Sequence, residues 1–322
     1  MPESFDALLV LSFGGPETPD DVIPFLENVL RGRNVPRERM LEVAEHYYHF
    51  GGKSPINDQN RALISALRDL LDEQGPDVPI YWGNRNWHPF LIDTMRQMRK
   101  DGVSNALAFV TSAYSSYSGC RQYRQDIAKA QAEVGEGAPQ IGKLPTFHAH
   151  PRFIRANADH IRTALDEFAS PPQVVFTAHS VPIAMTTTSP YVRQLEETAT
   201  LVARELGIMD WKLVYQSRSG PPTQPWLEPD INDYIRTMHA EGRRELVIAP
   251  IGFTSDHMEI LYDLDTEAAG VCRELGMQMV RAKTAGTHPE FVRMIRDLML
   301  AGPSICEPDC CQPPQRSIAS NQ

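Results

Sequence analysis

A chain of 322 residues is long for a single core, and at about 150 residues per domain it suggests two. Its composition, 42% hydrophobic and 22% charged, is that of an ordinary globular protein. A formal net charge of -10 with no basic stripe argues against a nucleic-acid partner; it suits a protein that handles cations, or one that is simply soluble.

The first apolar run, Ala7–Leu11, is too short for the core of a signal peptide, and no stretch approaches the ~20 apolar residues that span a bilayer. A cytoplasmic monomer without stable membrane insertion is the expectation. Strand-like runs then follow in order at Ala7–Phe13, Val78–Trp82, Ala106–Val110, Val174–Ala178, Lys212–Tyr215, Leu246–Ala249 and Met277–Ala282. Segments of helical period lie between them, among them Asp58–Gln74, Pro89–Asp101, Tyr191–Leu206, Pro229–Ala240 and His257–Leu275. Such alternation predicts an α/β fold of two similar Rossmann-like, doubly wound domains with parallel sheets and an interdomain cleft. The expected domains are residues 1–145 and 146–301, with the Gly/Pro-rich stretch Gly135–Pro145 as hinge and the last helix free to pack back on the first domain. The tail, 302–322, lacks periodicity and is expected to be flexible unless something ties it down.

Nucleotide motifs fail. No G-x-G-x-x-G follows a strand, and Pro16 removes an amide from the first turn, Phe13-Gly14-Gly15-Pro16. Gly52-Lys53-Ser54 lacks the upstream glycine of a P-loop, because that position is Tyr47. There is no H-E-x-x-H, and His148-Ala149-His150 reads better as an ordinary strand face than as a metal site.

Three groups of segments carry chemistry. Val174–Pro182 delivers His179 from a buried strand, and a neutral imidazole there could accept a proton or bind a metal; alone, a strand-capping histidine is the plainer reading. Pro250–Glu267 opens a helix, and Asp256 and Glu259 stand at capping-box spacing. Glu259, Asp263 and Glu267 are spaced i, i+4, i+8 and share a face, which is either a solvated acidic stripe or a line of hard oxygen ligands for a divalent cation. The third group comprises loops rich in Tyr, Trp, Ser and Arg: Gly51–Asn57, Tyr114–Tyr123 and Tyr215–Pro222 with Pro225-Trp226-Leu227. They suit a flat aromatic ligand with acidic edges, and would also serve as plain turns.

Together LSFGGPE, HFGGKSPIN, FTAHSVP, YQSRSGPP and PIGFTSDHMEILYDLD resemble ferrochelatase, of the coproporphyrin III type found in Gram-positive bacteria, over about Asp6 to Leu300. The resemblance implies an enzyme, a metal-chelating lyase that inserts Fe²⁺ into coproporphyrin III in haem biosynthesis. Fe²⁺ and the porphyrin are then substrates. It implies His179 and Glu259 as the catalytic pair, with Asp263 and Glu267 guiding the metal, and porphyrin contacts from Ser54, Tyr123, Phe13, Arg31 and Ser217. Phe13 stands where some relatives carry an iron-ligating tyrosine, and Leu30 where they carry an arginine, although Arg31 and Arg33 are near. A cobalt or nickel chelatase with additional site histidines, a protoporphyrin IX ferrochelatase and a non-catalytic tetrapyrrole carrier are the alternatives. Asn34–Tyr48 reads as charged and polar, without the apolar lip of the animal enzymes, which favours the more soluble coproporphyrin.

The five cysteines are an odd number, three of them, Cys306, Cys310 and Cys311, crowd the tail, and a disulfide framework is not expected in a reducing compartment. They resemble the C-terminal extension that holds a [2Fe–2S] cluster in some ferrochelatases. The fourth ligand of the animal enzymes is Ala156 here, so Cys120 or Cys272 would have to substitute, and an idle or adventitiously metal-binding tail is the alternative.

Overall fold

The structure is a computed structural model and describes residues 5–33, 35–220, 223–307 and 309–313. Its frame is two four-stranded parallel sheets. The first joins β1 (Ala7–Ser12), β2 (Ile80–Asn84), β3 (Asn105–Val110) and β4 (Gln140–Lys143) in the order β2-β1-β3-β4. The second joins β5 (Gln173–His179), β6 (Trp211–Gln216), β7 (Glu245–Ala249) and β8 (Gln278–Arg281) in the same order, β6-β5-β7-β8. The two halves therefore repeat one topology.

Helices cover both faces of each sheet, so the central strands need apolar residues on both sides. β1 is buried throughout, and β5 is buried up to His179. In each half the chain leaves the first strand toward one edge and later returns on its other side. A crevice then opens at the carboxyl ends of the first and third strands. Phe13 and the loop after β3 occupy that place in the first half; His179 and the loop after β7 occupy it in the second.

The halves share a core. Helix Ile56–Gln74 and helix Pro289–Ala301 meet there with helix Pro151–Leu165, so the last helix does pack on an element of the first half. Phe147 sits at its centre, with ring centroids 5.4 Å from Phe109, 5.3 Å from Phe153 and 5.8 Å from Phe291.

Three expectations change. The stretch Gly135–Pro145, read as a hinge, contains β4. Its edge pairing with β3 aligns Ile141 with Ala106 and Lys143 with Ala108. A glycine at 142 lets Pro303 close over that edge, since a Cβ there would come within 2.8 Å of the proline ring. The tail is tied down at three places: Ser304 N–H donates to the Lys143 carbonyl (2.9 Å), Arg121 Nη1 to the Cys310 carbonyl (2.8 Å) and Thr188 Oγ1 to the Gln312 carbonyl (2.8 Å). Beyond 313 it lies outside the described residues. Asn34 also lies outside them, but the segment after it holds the helix Arg37–His49, which buries Met40 and Ala44 and leaves Leu41 and Tyr48 exposed together with Val35. That surface is less uniformly polar than its sequence suggested. Among the described residues no helix is long and apolar enough to cross a membrane.

Because Phe291 is 1% exposed and packed edge-on against its neighbours, Phe291→Ala should lower the free energy of unfolding by about 3–5 kcal/mol. A urea titration should show the loss as a lower midpoint with an unchanged slope.

Candidate active site

The site forms where β5 and β7 deliver their loops. Gly252 makes the meeting possible: its N–H donates to the Thr177 carbonyl (3.0 Å), and a Cβ on it would lie 2.5 Å from the Ala178 Cβ. Any side chain there would push the loop after β7 away from the strand that ends in His179. The same loop is fixed to the first half. Thr254 Oγ1 donates to the Thr111 carbonyl (3.0 Å), Tyr114 Oη to that of Ile251 (2.8 Å), and the Asp256 N–H to Gln59 Oε1 (2.8 Å).

His179 ends β5 in register with Gln216 of β6. Its backbone carbonyl accepts from the buried Tyr191 hydroxyl (3.0 Å), and its Nδ1 faces the Ser180 carbonyl, which leaves Nε2 toward Glu259 Oε1 at 3.4 Å. Glu259 lies in the first turn of helix Met258–Tyr262. His257 caps that helix by accepting the Glu259 N–H on Nδ1 (3.2 Å), and the same nitrogen is 3.8 Å from Glu259 Oε2. Capping by His257 replaces the expected Asp256–Glu259 box, because Asp256 is turned toward Arg281.

The electrostatics differ from the neutral imidazole expected of the sequence. Burial disfavours the imidazolium, but the Glu259 carboxylate, its hydrogen bond and the Ser180 carbonyl outweigh that and raise His179 to about 9. Burial likewise opposes the Glu259 carboxylate and is outweighed by His179, which brings Glu259 down to about 2. The resting site therefore holds an ion pair, with both partners half-buried. His257 is lowered, first by burial.

Beyond Glu259 the helix changes character. Asp263–Ala268 is π-helical, and Ala269–Glu274 is α-helical again, where a single regular helix was expected. In an α-helix, residues four apart advance by about 40° around the axis. The wider π turn swings the next step back, so Glu259, Asp263 and Glu267 keep closer to one line. Burial raises Asp263 to about 7, against the hydrogen bond that Ser217 donates to it and with Glu259 and Glu267 adding to the rise. Glu267 is raised as well, first by burial and then by Asp230. Ser217 holds its hydroxyl there from a left-handed backbone (φ 62°). Gln216 Nε2 donates to the Glu259 carbonyl (3.0 Å). His46 stacks flat on Tyr262 at 3.6 Å and so ties helix Arg37–His49 to this helix.

The first half contributes the other candidates. Phe13 follows β1, is 38% exposed, and meets Phe25 edge-on at 6.2 Å. Ser54 is buried beneath Gly15, its N–H donating to the Pro16 carbonyl (2.9 Å). Tyr123 is buried with the Arg85 guanidinium 4.7 Å above its ring, and Arg85 is paired with Asp126 at 2.8 Å. Arg31 is exposed at the end of helix Val22–Leu30 and hydrogen-bonded to Asn28. Pro221 and Pro222 of the Tyr215 loop lie outside the described residues. His148 and His150 are structural: one is 3.1 Å from Glu197, the other caps helix Pro151–Leu165.

Among the cysteines, Cys120 and not Cys272 joins the tail. Cys272 is buried in the core of the second half. Cys120 lies close to Cys311, which is also close to Cys310, and Arg124 lies close to Cys306. That neighbour, outweighing burial and aided by Lys143 and Arg124, lowers the Cys120 thiol below its ordinary value. Even so, the described residues contain no group of three or more His, Cys, Asp or Glu arranged to hold a metal ion.

Sequence reasoning passed over His257, Tyr191, Gln216 and Arg281. His257 and Gln216 lay inside recognised motifs, whereas nothing local marks Tyr191 or Arg281.

A family model described as Ferrochelatase matches residues 5–302. The chain belongs to the ferrochelatase family. It is 56% identical over 95% of its length to a protein of Rhodopirellula baltica named ferrochelatase, covering 93% of that protein. Proteins of Nocardia farcinica and Streptomyces coelicolor named coproporphyrin III ferrochelatase are 51% and 50% identical; 91% and 92% of this chain align with 87% and 85% of theirs. Among solved structures the fold is that of chelatases. SirB from Bacillus subtilis with Fe3+ superposes with a TM-score of 0.56 at 11% identity, over 92% of this chain and 96% of that one. CbiX, described as the terminal enzyme of sirohaem biosynthesis in denitrifying bacteria, gives 0.54 at 13% identity, over 92% and 100%. A ferrochelatase-family chain thus places its most specific motifs on the loops of the repeated switch point.

In the Glu259→Gln variant burial remains while the main opposing charge is gone, so His179 should titrate well below its value in the parent. NMR of the imidazole C–H signals reads this directly; an unchanged titration would mean that Glu259 does not govern it. The signs also give a stability window. The contribution of His179 is complete below its unfolded value of 6.5 and lost as pH rises toward about 9. That of Glu259 is complete above 4.5 and lost as pH falls toward about 2. The variant's stability deficit should therefore be largest between those two unfolded values.

Proposed function

We propose that this chain inserts Fe²⁺ into coproporphyrin III, releasing two pyrrole protons and yielding Fe-coproporphyrin III in haem biosynthesis. The observation that carries this reading is the Glu259 carboxylate 3.4 Å from His179, with Asp263 and Glu267 on the same helix. The names of the Nocardia and Streptomyces relatives support coproporphyrin as the substrate.

Iron insertion needs the metal stripped of water and two N–H protons removed. Asp263, held near 7, can release a proton as a dication arrives, and with Glu267 it replaces shed water oxygens with protein oxygens. The cation next meets Glu259. Once Glu259 is engaged, the carboxylate no longer holds the proton on His179; that proton leaves to water, and the imidazole becomes a base that takes the two pyrrole protons one after the other and passes each to water. The ion pair thus keeps the base masked until metal or porphyrin enters. Phe13, Ser54, Tyr123, Arg31 and Ser217 are assigned to the porphyrin. Phe13 can cover its face but cannot ligate the product iron.

The same reading places the site between domains at 1–145 and 146–301, with 302–322 as a cysteine-bearing tail, in a cytoplasmic monomer. Cys120, Cys306, Cys310 and Cys311 are the thiols that would have to gather as the donor set of a [2Fe–2S] cluster, with Arg124 and Lys143 near them. Anaerobically purified protein should then contain acid-labile sulfide, and Cys120→Ser should lose it. Equal sulfide in the two proteins would remove Cys120 from the donor set; none in the parent would remove the cluster.

The function is tested by mixing the protein anaerobically with Fe²⁺ and either coproporphyrin III or protoporphyrin IX and following the visible porphyrin bands. Coproporphyrin should be metallated faster. Glu259→Gln should bind it with nearly unchanged affinity and insert iron at least about 100-fold more slowly. A preference for protoporphyrin would overturn the substrate, and binding of both without metallation would leave a carrier.

A further inference from the structure

Arg281 ends β8 with a side chain only 14% exposed. Its Nε and Nη2 donate to the Asp265 carboxylate at 2.6 and 2.9 Å; its Nη1 and Nη2 donate to Asp256 at 3.2 and 3.1 Å. Asp256 accepts a further bond from Thr284 Oγ1 at 2.9 Å. Asp256 immediately precedes the His257 cap, and Asp265 lies within the π segment. One guanidinium therefore holds both ends of the stretch that carries Glu259 and Asp263.

It does so from behind. Asp265 is two residues from Asp263, and residues that close do not share a helix face. Neither aspartate belongs to the acidic line. A π turn is rare, and besides the bond that Thr266 Oγ1 donates to the Leu261 carbonyl (3.1 Å) this one draws on a stabiliser from outside the segment. Four charge-assisted bonds to a rigid planar fork supply one that a flexible ammonium cannot copy, because a point charge does not meet two carboxylates side-on at once.

We infer that Arg281 is a positioning residue for metal insertion: by clamping Asp256 and Asp265 it sets the wide turn that aligns Glu259 and Asp263 with His179. The inference rests on the reading of those three as the site of metal delivery. A misplacement of about 1 Å at such a site can cost around 100-fold in rate, so the clamp has consequences without touching a reacting atom.

The test compares Arg281→Gln, Arg281→Lys and Asp265→Asn with the parent in the full chain, each confirmed folded by circular dichroism at the assay temperature. Coproporphyrin affinity, read by quenching of its fluorescence, should stay within about twofold. Iron insertion should lose about tenfold or more in kcat, with a raised KM for Fe²⁺, and Arg281→Lys should restore only part of it. The His179 titration should shift toward that of Glu259→Gln, a readout that lost stability alone does not move. Folded Arg281→Gln with parental iron kinetics and a parental His179 titration would overturn the inference. Should that variant not fold, Asp265→Asn, which removes one arm of the clamp, is decided by the same two readouts. If the parent metallates no porphyrin, the functional reading fails instead, and the His179 titration still decides whether the clamp positions Glu259.

Discussion

The close approach of Gly252 to Ala178 is the contact on which the site depends. It seats the loop after β7 directly on the strand that ends in His179, so Glu259 comes within 3.4 Å of the imidazole. Both groups are taken partly out of water, and each favours the charged form of the other. Bonds to Gln59 and Thr111 then anchor this loop to the first half, so the geometry of the pair is set by both sheets.

Around this pair the protein keeps carboxylates in graded states. Glu259 is held ionised by its histidine, Asp263 is raised to about 7 by burial, and Glu267 is raised as well, first by burial. On the proposed reading a dication moving along this line would displace the proton held by Asp263, which limits the cost of collecting negative charge in a partly buried place. The π turn keeps the three side chains near one line, and the Arg281 fork lies on the other side of the same helix.

Much of this was legible in the chain itself. Strands apolar on both faces, alternating with amphipathic helices, announced parallel sheets, because only covered sheets need such strands. The motifs around His179 and Glu259 could be placed at strand ends for the same reason. The hinge was misread because β4 is a short edge strand, and its Gly and Pro neighbours look like a loop until Pro303 is seen closing over Gly142. The exposed Leu41 and Tyr48 were missed because a polar average hides which residues a helix turns outward.

What the sequence determined by itself is what depends on local periodicity and residue chemistry: the α/β class, the repeated halves, and a histidine and an acidic helix at strand ends. Only the tertiary structure decided the rest. It chose Cys120 over Cys272 as the thiol facing the tail, since those residues are far apart in sequence and only packing brings one of them near. It made His257 the helix cap by turning Asp256 to Arg281. It also charged His179, because a pKa responds to the distance and solvent exposure of partners from other segments, and neither quantity is encoded within the strand that carries the histidine.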